Sequence, residues 1–204
     1  MIVIKTPGVT PGYSTGMDPL ESLSEEHRQI RVVISAITSL LDLTRGDRRI
    51  SPTPFLELQA FIMQFADGSH HAKEEQVLFS EMVQAGLPND SGPLASILNE
   101  HDQGRKYAAV LGAAARACVD GQWHRQVEMV DAARAWCQLV NAHTDKEDLM
   151  LYAIAQTVIP DRRLALLPAL FAKVDPLPAS AFKDAANAVV EAAERAAHTQ
   201  RKTG

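Results

Sequence analysis

Two stretches of this chain, 73 residues apart, spell the same local pattern, and that repetition constrains the fold more than any single motif does. One reads His70-His71-Ala72-Lys73-Glu74-Glu75-Gln76-Val77-Leu78-Phe79 and the other His143-Thr144-Asp145-Lys146-Glu147-Asp148-Leu149-Met150-Leu151-Tyr152. Both are His-x-x-Lys-Glu-acid-x-x-Leu-aromatic. Each follows a Glu-His pair, Glu26-His27 or Glu100-His101, and these pairs lie 74 residues apart. Two helical hairpins of nearly equal length therefore carry His, then His-x-x-x-Glu, at matching positions. Pseudo-twofold packing of the hairpins would bring His27, His70, Glu74, His101, His143 and Glu147 to one level of a shared core.

The surrounding periodicity is helical. Leu20, Leu23, His27, Ile30, Ile34, Ile37 and Leu41 keep an alternating spacing of three and four, the stripe of a helix with one buried face. Asp18 and Pro19 open that helix, which the pattern predicts over 18–44. Further helices are predicted over 54–85, from just after Pro93 to 119, and over 122–158, separated by Gly- and Pro-bearing breaks. Four helices with short joints predict an all-α, antiparallel up-down-up-down four-helix bundle. The expected organisation is an irregular lead-in over 1–17, the bundle over 18–160, and a C-terminal helical extension over 161–204. The extension comprises a short apolar piece, Leu164 to Val174, and an amphipathic helix near 179–198. Phe182, Ala186, Val189, Val190 and Ala193 on that helix could dock on the bundle or on a second subunit.

The inward glutamates set the chemistry. Burying a carboxylate without a partner costs several kcal/mol, and two that converge repel each other unless cations neutralise them. Histidine and glutamate at i and i+4 share a helix face and can bind a common centre. Imidazole with carboxylate suits iron, zinc or manganese, and two carboxylates able to bridge imply a pair of ions. His71 has no counterpart in the second repeat. At 100° per residue, Glu74 points between His70 and His71, so His71 could be a further ligand or a residue at the rim. Glu75 and Asp148, about 140° from their histidines on the same geometry, are expected to be solvated. Tyr107 and Tyr152 are close enough in sequence to be donors to the ligands or simple packing residues.

Composition narrows the function classes. With 204 residues, 46% hydrophobic and 22% charged, the chain is globular. A net charge of −5 lacks the basic footprint that nucleic-acid binding needs. Cys118 and Cys137, the two cysteines, cannot make a disulfide-dense scaffold or a cysteine-rich metal site and read as core thiols. No apolar run reaches bilayer-spanning length, and the N-terminal residues lack a signal-peptide pattern, so a cytoplasmic protein without membrane or nucleic-acid partners is expected.

The ordered elements His27, His70-x-x-x-Glu74, His101 and His143-x-x-x-Glu147 resemble the hemerythrin-like (HHE cation-binding) family, in its bacterial branch, over residues 18–158. The resemblance implies two iron ions in a carboxylate- and oxo- or hydroxo-bridged centre, other divalent metals being possible substitutes. It implies His27 and His70 on one iron, His101 and His143 on the other, and Glu74 and Glu147 as bridges. The chain departs from oxygen-carrying hemerythrins at Arg105, where they have a histidine, and in the position of its helix-four carboxylate, where they commonly use the place of Asp148. His71 could replace the ligand missing at Arg105, leaving one coordination position open. Such a centre would bind or react with dioxygen, peroxide or nitric oxide, including consumption of peroxide or nitric oxide. The alternative is an iron- or oxygen-responsive sensor using the same site without turnover. A homo-oligomer could form through the extension.

Overall fold

The computed structural model describes residues 18–44, 48–175 and 177–202; the expected lead-in over 1–17 lies outside them. Among the described residues the fold is entirely helical, with no strand. Helix α1 spans Pro19–Leu41; the Asp18 carboxylate accepts from the Leu20 N–H at 2.8 Å, capping its start. Helix α2 covers 53–84 and changes winding along its length. It begins as an α-helix over Thr53–Phe61, takes π-type winding over Ile62–His71 and Glu74–Leu78, and ends as an α-helix over Phe79–Gln84. Helix α3 is Gly92–Val119. Helix α4 covers 126–158, with a π segment at Glu147–Leu151. Gly86 and Gly121, at φ of 105° and 86°, turn the chain after α2 and α3, a conformation open to glycine at little cost. All three π segments carry members of the histidine–glutamate set, and π winding is concentrated at functional sites in helical proteins.

Two apolar clusters lie on either side of that set. The larger draws on Ile30 to Leu41 of α1, Phe55 to Ala66 of α2, Ala108 to Cys118 of α3 and Met129 to Val140 of α4. The smaller takes Leu20 and Leu23 from α1, Val77 to Met82 from α2, Leu94 and Ile97 from α3, Leu151 to Ala155 from the end of α4, and Ile159 just after it. Each of the four long helices thus contributes one end to each cluster and its histidines to the level between them.

The C-terminal residues form α5 (Asp161–Leu164), α6 (Leu167–Val174) and α7 (Ala179–Lys202). They pack on the rest of the chain. Leu167 and Phe171 join the smaller cluster, while Phe182, Ala186, Val189, Ala193 and Ala196 join the larger. Phe182 sits edge-on to Phe61 and Phe65, with ring centroids 5.5 and 5.8 Å away. Of the apolar positions expected on this helix, Val190 alone lies outside that core, at the rim of a groove beside α1. No described helix is long and apolar enough to cross a membrane.

Candidate metal centre

All seven residues singled out by the sequence meet at one level of the core. His27, His70, Glu74 and Glu147 form one group, and His71, Glu74, His101 and His143 form a second; within each group the donor atoms lie within 4.8 Å of one another. All seven are buried. Glu74 belongs to both groups. One of its oxygens lies 3.6 Å from His70 Nε2, on its own helix, and 3.5 Å from His101 Nε2 of the other hairpin. Glu147 mirrors it, 3.1 Å from His143 Nε2 and 3.2 Å from His27 Nε2. Each glutamate therefore spans the two hairpins.

A ring of outer carboxylates fixes the imidazoles. His27 Nδ1–H donates to Asp148 at 2.8 Å, His70 to Glu26 at 2.9 Å, His101 to Glu75 at 2.7 Å and His143 to Glu100 at 3.1 Å. Because ionised carboxylates only accept, these partners assign the proton to Nδ1 and leave Nε2 as a lone pair facing the centre. His71 follows the same rule, with Nδ1 3.3 Å from Asp67, and its ring stacks on His101 at 3.8 Å. Burial lowers the pKa of His27, His70, His71 and His101, that of His71 to about 4, so these imidazoles are neutral.

This arrangement corrects the expectation for Glu75 and Asp148. Their direction, away from their own helix's histidine, faces the seam with a neighbouring helix rather than solvent. There Glu75 meets His101 on α3 and Asp148 meets His27 on α1. Asp148 also accepts from Ser24 and from Arg31, and those bonds with His27 hold its carboxyl well below the usual range against the opposing effect of burial. Arg105 is likewise committed. It donates to Glu75 at 2.5 Å, to Asp67 at 2.8 Å and to Asp102 at 2.9 Å. Arg31 and Arg105, each four residues after the leading histidine of its hairpin, thus hold equivalent carboxylates.

The repeat is broken in two places. Thr144 stands where His71 would be repeated, and Tyr152 stands opposite Phe79. The Tyr152 hydroxyl donates to Glu74 at 2.7 Å and lies 3.3 Å from His27 Nε2, whereas Phe79 offers only a ring near His101, 6.0 Å between centroids. Tyr107 packs against the larger apolar cluster instead. Cys118 and Cys137 are buried free thiols, and burial pushes the Cys137 thiol up to about 12.

The centre is short of positive charge. Among the described residues, Glu74 Oε2 and both oxygens of Glu147 are buried and accept no hydrogen bond, since the nearest imidazole nitrogens carry lone pairs. His27 and His70 bring those lone pairs to 2.9 Å, and His101 and His143 to 3.2 Å. Burial raises the Glu74 pKa to about 8; burial and the neighbouring Glu74 raise that of Glu147 well above its usual range. Converging lone pairs and orphaned carboxylate oxygens in an apolar core are a donor set for cations.

The Hemerythrin HHE cation binding domain matches residues 18–155. This chain belongs to that family. The match takes in every residue of the centre and ends within the last turn of α4. Uncharacterized proteins of Mycobacterium tuberculosis and Mycobacterium bovis are 29% identical over 161 residues, covering 75% of this chain and 59% of theirs. The chain thus spans less than two thirds of the length of these relatives. No solved structure matches it. The family is one of cation-binding domains, and among the described residues the two groups able to hold a metal ion consist of histidine and glutamate.

Proposed function

We propose that this hemerythrin HHE domain holds two iron ions and binds or reacts with a small ligand: dioxygen, peroxide or nitric oxide. The observation that carries the reading is the placement of Glu74 and Glu147, each between imidazoles of both hairpins. A carboxylate so placed can serve two cations at once. His27 and His70 would complete one position, and His71, His101 and His143 the other. Iron bound there would supply reversible electron exchange and affinity for small oxygen- or nitrogen-centred ligands.

The chain's own residues set the conditions. The outer carboxylates hold each ring in the tautomer that presents Nε2. Burial excludes bulk water from the histidine–glutamate level. The third imidazole on the His101 side leaves fewer protein donors on the His27 side, so a small ligand would enter there. Tyr152 is the hydroxyl nearest that entry, held by Glu74 and able to position a polar ligand. The alternating assignment of helix ends to the two apolar clusters supports an up-down-up-down bundle over 18–160, with 161–204 packed on it as an extension.

The test exposes iron-loaded protein separately to dioxygen, hydrogen peroxide and nitric oxide while its optical spectrum is followed. A saturable change at about one ligand per iron pair is expected with at least one of them. An iron-loaded protein whose spectrum none of the three alters would overturn the reading.

A further inference from the structure

The two repeats agree in sequence at Lys73 and Lys146, yet the chain treats these residues differently. Lys146 donates to Glu100, the acceptor of His143 Nδ1–H, and its side chain is 46% exposed. Lys73 donates to Glu26, the acceptor of His70 Nδ1–H, but its side chain is 2% exposed. The difference comes from the C-terminal segment. Asp175, just after α6, lies over Lys73 with Oδ2 at 3.4 Å from Nζ, and the same carboxylate accepts from the Ser69 hydroxyl. Its other oxygen accepts from the Leu177 N–H at 3.1 Å, which fixes the orientation of the group. A continuous path of polar contacts therefore runs from Asp175 through Lys73 and Glu26 to His70. Among the described residues, no acidic side chain is placed over Lys146 in the equivalent way.

We propose that Asp175 is a positioning residue for the metal centre: acting through Lys73 and Glu26, it fixes the His70 ring and makes the His27/His70 position depend on the C-terminal extension. The physical basis is the role of outer partners in orienting ligating imidazoles, whose loss typically weakens a metal by roughly 10–100-fold. Without Asp175, the buried Lys73 ammonium loses an anionic neighbour, and the Lys73–Glu26 pair can shift away from His70. The His101/His143 position has its own pair, Lys146 and Glu100, and is insulated from the change. The extension thereby makes two positions that the repeat would leave alike unequal. The inference rests on the two-iron reading above.

Ferrous iron release to ferrozine from anaerobically loaded, full-length protein tests it. Wild type should bind about two irons per chain. In Asp175→Asn, one iron per chain should leave about tenfold faster than in wild type, the other at the wild-type rate. Asp175→Glu should restore slow release, and Glu191→Gln, an exposed change within α7, should have no effect. Comparable circular dichroism melts of the metal-free Asp175 variants and metal-free wild type would show that the fold is intact. If wild type holds two irons and Asp175→Asn releases both at wild-type rates, or both equally faster, the positioning role is overturned while the two-iron reading stands. If wild type cannot hold two irons, both fall together.

Discussion

At the scale of single residues, the chain repeats itself and then departs from the repeat where chemistry would need asymmetry. His71, absent from the second repeat, is buried against His101 with its Nδ1 toward Asp67. His71→Ala should therefore retain closer to one iron than two, losing the ion held with His101 and His143. Full loading, measured as iron per protein, would remove His71 from the ligand set. Glu75→Gln should lower iron occupancy or speed its release, because it exchanges the anionic acceptor of the His101 Nδ1–H for a neutral amide; unchanged loading and release would count against that role. Tyr152→Phe should leave iron content unchanged yet alter the optical response to the small ligand, and a response identical to wild type would exclude the hydroxyl from ligand positioning. The inner residues were legible because a repeat with an inward carboxylate has few physical explanations. The outer carboxylates were less so. Glu26 and Glu100 stand in the repeated Glu-His pairs, so their equivalence could be read, but not that each reaches across to the neighbouring helix's histidine. Angles on a single helix assigned Glu75 and Asp148 to solvent because such angles contain no information about where an adjacent helix lies.

At the scale of elements, spacing and breakers located the four long helices within a few residues, since Gly and Pro punctuate the chain at each end. The π winding of α2 and α4 was not visible, because an apolar spacing of three and four marks a helix without separating α from π winding. Whether the amphipathic C-terminal helix covers its own chain or a partner was likewise undecidable from its periodicity. In the structure Phe182 fills a pocket beside Phe61 and Phe65. Phe182→Ala should destabilise the protein by about 3 kcal/mol, in the range of buried phenylalanine truncations. Chemical denaturation of the metal-loaded protein measures this; a change under about 1 kcal/mol would mean that α7 does not stay docked in solution.

At the scale of the whole molecule, fold and metal are coupled through protons. In the metal-free protein Glu74 keeps its proton to about pH 8, whereas an unfolded glutamate releases it near 4.5. Glu147 shifts in the same direction, so these groups cost stability as pH rises through that interval. The buried neutral histidines act oppositely, since the unfolded chain takes up protons below about 6.5 while His71 resists until about 4. Burial thus lowers four imidazoles, which favours the fold as pH rises toward 6.5, and raises three carboxyls, Glu26 with Glu74 and Glu147, which disfavours it as pH rises further. The metal-free melting temperature should therefore peak near pH 6.5 and fall toward pH 8, and bound metal should suppress that alkaline fall by taking the place of the carboxyl protons. A metal-free melting temperature that rises steadily from pH 6.5 to 8 would contradict this assignment of protons. The central claim, that two glutamates shared between two histidine sets hold a pair of ions, is tested most directly by elemental analysis of protein purified from iron-replete cells without added metal. The account predicts about two iron atoms per chain, falling in Glu74→Ala and Glu147→Ala variants that still fold; a single zinc per chain, or no metal at all, would contradict it.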